Sequence, residues 1–338
     1  MREKEIYIWA CDLDKFRGEG ILANEFIKDL KKYTKKKLLI ESPKNNHKKI
    51  NFSFYKNYIT PFIGVFKIWK NYFQGRAICY INFLPIWNFF IFLLLPSKTI
   101  LGPITGTKYN EKVTDLNKFI RRYILIFFSY ISIKILISRR KLILFSTKNL
   151  ESLIPKKIKK NSFFNYIATT IKKKKIIKNK KIYDIFFYYR KYSTHNPQFQ
   201  KNVIEFLAKY KYKIVVAGNK CEVKNVKEIG FVKRNKIRSY LEKTKFSLNE
   251  EANFMSFFTI DSLESGCSVI CNKKTITSFD IPNKKSIFLI NYKTSKKNFF
   301  KIKKIIDNYK SINLLLNIKK IKKHNVKKKI FLQKYLSN

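Results

Sequence analysis

The chain has 338 residues, room for two domains of ordinary size, with 73 Lys and Arg against 22 Asp and Glu and a formal net charge of +51. Charge of that sign points first to nucleic acid or an anionic membrane surface. It is spread over the whole length, carried mostly by Lys in place of the better phosphate reader Arg, and accompanied by abundant Ile, Asn, Phe and Tyr with only 9 Gly and 8 Pro, so solvated Lys explains it better than a specific nucleic-acid footprint.

The first segment, MREKEIYIWACDLDKF, has early acids and too short an apolar run for a secretory leader, and a cytoplasmic chain is expected. Cys11, Cys79, Cys221, Cys267 and Cys271 are odd in number and scattered, which excludes a close zinc-ribbon pair and reads as free thiols in a reducing compartment. EIYIWAC is a predicted strand, and FRGEGILANEFIKDLKKY is a Gly-containing turn opening a helix with a Lys-rich last turn, as the helix dipole favours. KLLIES is the next strand, and FIGVFKIWKNYF an amphipathic helix. His47 lies between them in a polar loop with no evident partner.

From Ala77 to Ser97 there are 21 residues without a charge, long enough to span a bilayer. Asn82, Pro85 and Asn88 interrupt the run and divide it into a strand, AICYINF, a turn at LP, and a short helix, IWNFFIFLLL, ended by Pro96. A second apolar run, YILIFFSYISIKILIS, carries Lys134 near its middle. Both are expected to be buried or membrane-surface helices and not spans. KTILGPITG, with Gly102 and Gly106 in its turn, and KLILFST follow as strands, then helical NLESLI.

The segment IKKKKIIKNKK, Ile171 to Lys181, has charge without periodicity and reads as a linker. Beyond it the alternation restarts: strand YDIFFYYRKYS, helix FQKNVIEFLAKY, strand KIVVAG, a short strand and helix in EIGFVKRNKIRSYLEKT, strand KFSLN, helix SFFTIDSLESG and strand SVICN. Strands alternating with helices predict parallel sheets covered on both faces, and the two runs predict two doubly wound α/β domains in tandem.

The motif order from about Asp184 to Asn272, YYRKYSTH, VVAG, IGFVKRNKIRSYL and NFMSFFTIDSLESGCSVI, resembles the nucleotide-sugar-binding domain of retaining glycosyltransferases of the GT-B fold. The resemblance implies two Rossmann-like domains facing a cleft: an acceptor-side domain over 1–175, a donor-binding domain over 182–300, and a helical tail over 301–338 that crosses back to the first domain. The family has two Glu eight positions apart before a small helix ending in Gly. Anchored on Gly266, these fall on Asn253 and Asp261, with Glu251 a second carboxylate near the first position. Asp261 is then expected on the donor ribose, and Ser256, Phe257, Phe258 and Thr259 are expected to offer helix N–H groups to the diphosphate. Glu264 is expected to face away.

The family's Arg and Lys that neutralise the leaving diphosphate correspond to Arg190 and His195, with Lys191 another candidate for the second charge. Gly18 and Gly20 match a Gly-rich turn that lets backbone approach donor phosphates, and Gly218 ends the VVAG strand of the donor side. The implied chemistry is metal-independent, retaining transfer from a nucleoside-diphosphate sugar, with no cofactor beyond the donor, onto a lipid-linked or glycan acceptor. An enzyme on the inner membrane face, held by an anionic surface, fits the apolar helices. The alternatives are a basic nucleic-acid-binding protein and, given Asn253 and His195, a catalytically inactive scaffold of the same fold.

Overall fold

The computed structural model describes residues 5–14, 18–43, 59–106, 116–139, 142–171, 180–191, 197–249, 254–274, 283–311 and 316–337. His47, His195, Glu251, Asn253 and residues 172–179 of the expected linker lie outside them. The chain forms two compact units, one of residues 1–170 with 325–338, the other of residues 171–324.

The first unit opens with β1 (Glu5–Trp9), α1 (Gly18–Tyr33), β2 (Lys37–Glu41), α2 (Thr60–Phe73), β3 (Ala77–Tyr80), α3 (Phe89–Leu94) and β4 (Ile100–Leu101). These four strands form one parallel sheet in the order β2-β1-β3-β4. β1 is an unbroken apolar run because helices cover both faces of the sheet, and from Ile6 to Trp9 every side chain is buried. The uncharged run of 77–97 is strand, turn and short helix. The second apolar run lies mostly in α5 (Leu125–Arg139), which follows α4 (Leu116–Phe119) through a π-helical turn at Ile120–Ile124. β5 (Ile143–Leu144) and β6 (Ser162–Phe163) make a small parallel pair.

The second unit holds β7 (Tyr183–Tyr189), α6 (Gln198–Lys209), β8 (Ile214–Gly218), β9 (Lys227–Gly230), α7 (Arg234–Glu242), β10 (Thr244–Leu248), α8 (Phe257–Glu264), β11 (Ser268–Asn272), β12 (Ile287–Ile290) and α9 (Lys296–Asp307). Its six strands are parallel in the order β12-β11-β10-β7-β8-β9. α6 turns Phe199, Val203, Ile204 and Leu207 onto this sheet at helical spacing. Each such burial contributes about 1.5–3 kcal/mol.

The tail divides between the units. Ile302 and Ile306 of α9 are buried in the second unit's core. In α10 (Ile318–Ser337), Lys328 Nζ lies 2.9 Å from Asp29 Oδ2 and Tyr335 Oη donates to the Leu101 carbonyl at 2.7 Å, both within the first unit.

Candidate functional site: the carboxyl edges of the two sheets

In a doubly wound sheet the loops diverge where strand order reverses, leaving an open crevice at the carboxyl ends of the strands. In the second unit the chain runs outward from β7 through β8 to β9 and returns to β10 on the other side of β7. The crevice therefore lies beyond Tyr189 and Leu248.

Gly218 closes one wall. Its φ is +99°, and a Cβ there would stand 2.2 Å from the Tyr189 carbonyl oxygen. Only Gly lets β8 end so close to β7, and Asn219 N then donates to that carbonyl at 2.8 Å. Lys191 N donates to Asn219 Oδ1 at 2.9 Å, fixing the backbone beside Arg190. The Arg190 guanidinium sits 4.7 Å over the Tyr188 ring, and that ring stacks on Phe258 at 5.8 Å.

The other wall is the start of α8. Buried Asn249 donates from Nδ2 to the Phe254 carbonyl at 3.1 Å, and Thr259 Oγ1 donates to the same carbonyl at 2.6 Å, which fixes the helix entry. Ser256 is the N-cap, its Oγ accepting from Thr259 N at 3.2 Å. The N–H groups of Phe257 and Phe258 then have no partner among the described residues. They are donors at the positive end of a helix dipole, suited to an anion.

Asp261 is buried and faces α7. Its Oδ2 accepts from Arg234 Nε at 2.6 Å, and its Oδ1 from Arg234 Nη2 at 2.7 Å and Arg238 Nε at 2.7 Å. Glu264, expected to face away, is buried with its carboxylate 2.5 Å from Arg238 Nη2. Burial works against the Arg238 charge, but the two carboxylates hold its pKa above the ordinary value. Arg234 is the outer cation of this network, 4.9 Å over the Phe257 ring at the entry of α8. Sequence reasoning passed over both arginines; their four-residue spacing, which puts them on one helix face beside the acidic helix, was the available signal.

The first unit repeats the topology. The chain leaves β1 for β2 and returns to β3 on β1's other side, so this crevice lies beyond Trp9 and Tyr80. Asn82 Nδ2 donates to the Asp12 carbonyl at 2.6 Å, bridging the two strand ends. An Asp-x-Asp triplet at this strand end, Asp12-Leu13-Asp14, is folded as a turn in which Asp12 Oδ1 accepts from Asp14 N at 2.8 Å. Gly20 is required by packing, since a Cβ would stand 2.1 Å from the Asp14 carbonyl oxygen. Gly18 is the exposed first residue of α1. Between them burial of Glu19, with Asp12 nearby, pushes its pKa up to about 7 against an opposing effect of the Phe83 backbone. Among the described residues no group of His, Cys, Asp and Glu is placed to hold a metal ion, and the five cysteines are buried and form no disulfide.

The first unit also carries an apolar face on α2, α3 and α5. Trp69 Nε1 donates to the Leu94 carbonyl at 2.7 Å, and Arg139 Nη1 to the Leu95 carbonyl at 2.8 Å, tying the three helices together. Phe66, Phe90 and Phe127 remain 76%, 52% and 61% exposed. No helix among the described residues is long and apolar enough to cross a membrane.

Two parallel doubly wound sheets in one chain, each with its loops gathered at a switch point, define the GT-B class of two Rossmann-like domains. Solved structures agree. The chain is similar to sucrose-phosphate synthase from Thermosynechococcus elongatus, with a TM-score of 0.61, 8% identity and 99% and 100% of the two chains covered. It is similar to the UDP-GlcNAc 2-epimerase of Methanocaldococcus jannaschii in complex with UDP-GlcNAc and UDP (TM-score 0.53, 13% identity, 97% and 99% covered). The UDP-N-acetylglucosamine 2-epimerase of Rickettsia bellii also matches (TM-score 0.53, 9% identity, 98% and 97% covered). At these identities the likeness shows the fold. No protein-family model matches the sequence, and no curated protein does.

Proposed function

We propose that the chain is a glycosyltransferase that moves a sugar from a nucleoside-diphosphate sugar onto a glycan or lipid-linked acceptor, with retention at the anomeric carbon and without a metal. The observation that carries the donor half is the start of α8, where the unpartnered N–H groups of Phe257 and Phe258 adjoin the Arg190–Tyr188–Phe258 stack and Arg234. A leaving diphosphate develops negative charge, and fixed donors with a guanidinium stabilise it without reorganisation. Arg190 and the helix start are assigned to the diphosphate, with His195 or Lys191 as the second charge that the sequence resemblance implies. Asp261 orients Arg234, and a ribose hydroxyl reaches its oxygens only in competition with that guanidinium. The Asn253 role rests on the resemblance alone. UDP-sugar enzymes among the proteins of similar fold support a nucleotide-sugar donor.

The acceptor half is assigned to the first unit. The exposed aromatics of α2, α3 and α5 beside Lys and Arg fit an enzyme that works peripherally on an anionic cytoplasmic membrane surface, where a lipid-linked acceptor is displayed. Nucleic acid is not needed to explain the charge.

The test is to incubate the full chain with UDP-, GDP- and ADP-sugars and an envelope glycolipid fraction, then follow nucleoside-diphosphate release and the product's anomeric proton coupling. Acceptor-dependent release that persists in EDTA, with the donor's anomeric configuration kept, is expected. A sugar nucleotide changed at a ring carbon without transfer would replace this function with epimerisation. Binding only to nucleic acid, with a steep salt slope, would discard both.

A further inference from the structure

We propose that the donor site of the second unit selects its ligand by the diphosphate and not by the ribose, with Arg234 as a phosphate-reading side chain; this rests on the donor reading above. The acids of α8 are Asp261 and Glu264, and neither is presented to a ligand. Asp261 is 3% exposed, its Oδ1 accepting from Arg234 Nη2, Arg238 Nε and Arg238 Nη2 and its Oδ2 from Arg234 Nε. Glu264 is 8% exposed and held by Arg238. A ribose diol binds a carboxylate by donating its hydroxyl protons to it. Here the acceptor positions are filled by charge-assisted bonds, about twice as strong as those two neutral hydroxyls would offer.

The guanidinium geometry carries the other half. A guanidinium has five N–H donors in a planar fork, one edge formed by Nε and Nη2 and another by Nη1 and Nη2. Arg234 spends its first edge on Asp261, at 2.6 and 2.7 Å. Nη1, on the second edge, has no partner among the described residues. Two N–H donors in one plane match two oxygens of a phosphate. The ion pair and the Phe257 ring, 4.9 Å from the guanidinium, fix that plane, so little side-chain freedom is left to lose on binding. Phe257 carries both that ring and one of the open N–H groups at the start of α8, which places the edge and the helix donors beside the same anion.

Asp261 and Arg238 are positioning residues. Asp261 holds Arg234, and Arg238, bonded to both acids, keeps Asp261 compensated. The two arginines balance the two acids, so the cluster is neutral, and net attraction for the anion comes from Arg190 and the helix dipole while Arg234 contributes oriented donors. The ligand class is a diphosphate ester whose nucleoside adds little, and inorganic pyrophosphate competes for the same place.

The test is displacement of UDP from the full chain, followed by titration calorimetry in EDTA at physiological salt. On the wild-type chain, 2′,3′-dideoxy-UDP should bind within about threefold of UDP, and inorganic pyrophosphate should displace UDP one for one with an affinity within about tenfold. UMP, which lacks the second phosphate, should bind about tenfold more weakly or worse. Arg234→Gln should weaken UDP and pyrophosphate by the same factor, about tenfold or more, the loss of a charge-assisted bond. The wild-type arms decide the matter even where that variant does not fold. A larger loss for dideoxy-UDP, pyrophosphate that fails to displace UDP, UMP as tight as UDP, or a folded Arg234→Gln that binds UDP as the wild type does overturns the inference with the donor site intact. A wild-type chain that binds no nucleoside diphosphate overturns the donor reading, and this inference falls with it.

Discussion

The two switch points share one topology and differ in charge. The described ionisable groups at the first are acids, Asp12, Asp14 and Glu19, while those at the second include Arg190, Lys191 and Arg234 around a helix start. In a chain of net charge +51, the contrast teaches that total charge is a poor guide to chemistry and local placement a good one. Cations spread over a surface interact mostly with water and salt. A guanidinium stacked on an aromatic ring beside free N–H groups, or a carboxylate buried beside another, has had its options reduced by the fold.

The sharpest way to break the comparison is to remove the counter-charge at the second edge. Asp261→Ala would leave Arg234 and Arg238 facing each other with Glu264 alone, and the second unit is expected to lose about 3 kcal/mol in denaturant unfolding. Glu264→Gln should lose about 1 kcal/mol, where an outward-facing residue would lose nothing. Gly218→Ala sets a Cβ 2.2 Å from the Tyr189 carbonyl oxygen at φ +99° and should destabilise the same unit by about 2–3 kcal/mol, without touching the first. Arg190→Ala, by contrast, should leave stability unchanged and reduce turnover about 10- to 100-fold, the loss of one charge-assisted bond.

A pH-dependent effect sharpens the acidic side. Glu19 has a folded pKa raised to about 7, above its unfolded value of 4.5. The folded chain therefore holds a proton that the unfolded chain has lost, and this contribution is full below pH 4.5, falls as pH rises, and is gone above pH 7. Glu19→Gln removes that dependence. The melting temperature of the variant relative to wild type should climb between pH 5 and pH 8, and a flat difference would remove Glu19 from the acidic edge.

Much of this was legible in the sequence because strands buried on both faces read as apolar runs between amphipathic helices. IYIW, IVVAG and SVICN each became strands. Sequence also put a helix start at Ser256, since its N-cap chemistry is local. It did not give β12, whose short IFLI run follows a polar stretch, nor the break of the tail into α9 and α10. The partners of Asp261 and Glu264 were hidden for another reason. A spacing rule places an acid on a helix but does not say which neighbouring helix its carboxylate meets. Glu19 was hidden by its glycines, which drew the reading of RGEG toward backbone and away from the side chain between them.

The central claim, that the second unit's switch point holds a nucleoside diphosphate, is tested most directly by amide hydrogen exchange on the full chain with and without saturating UDP, at physiological salt. Protection is expected in two stretches, Tyr188–Lys191 and Phe254–Asp261, and should be lost in Arg190→Ala at the same UDP concentration. No protection at any UDP concentration, or protection confined to the first unit, would contradict it.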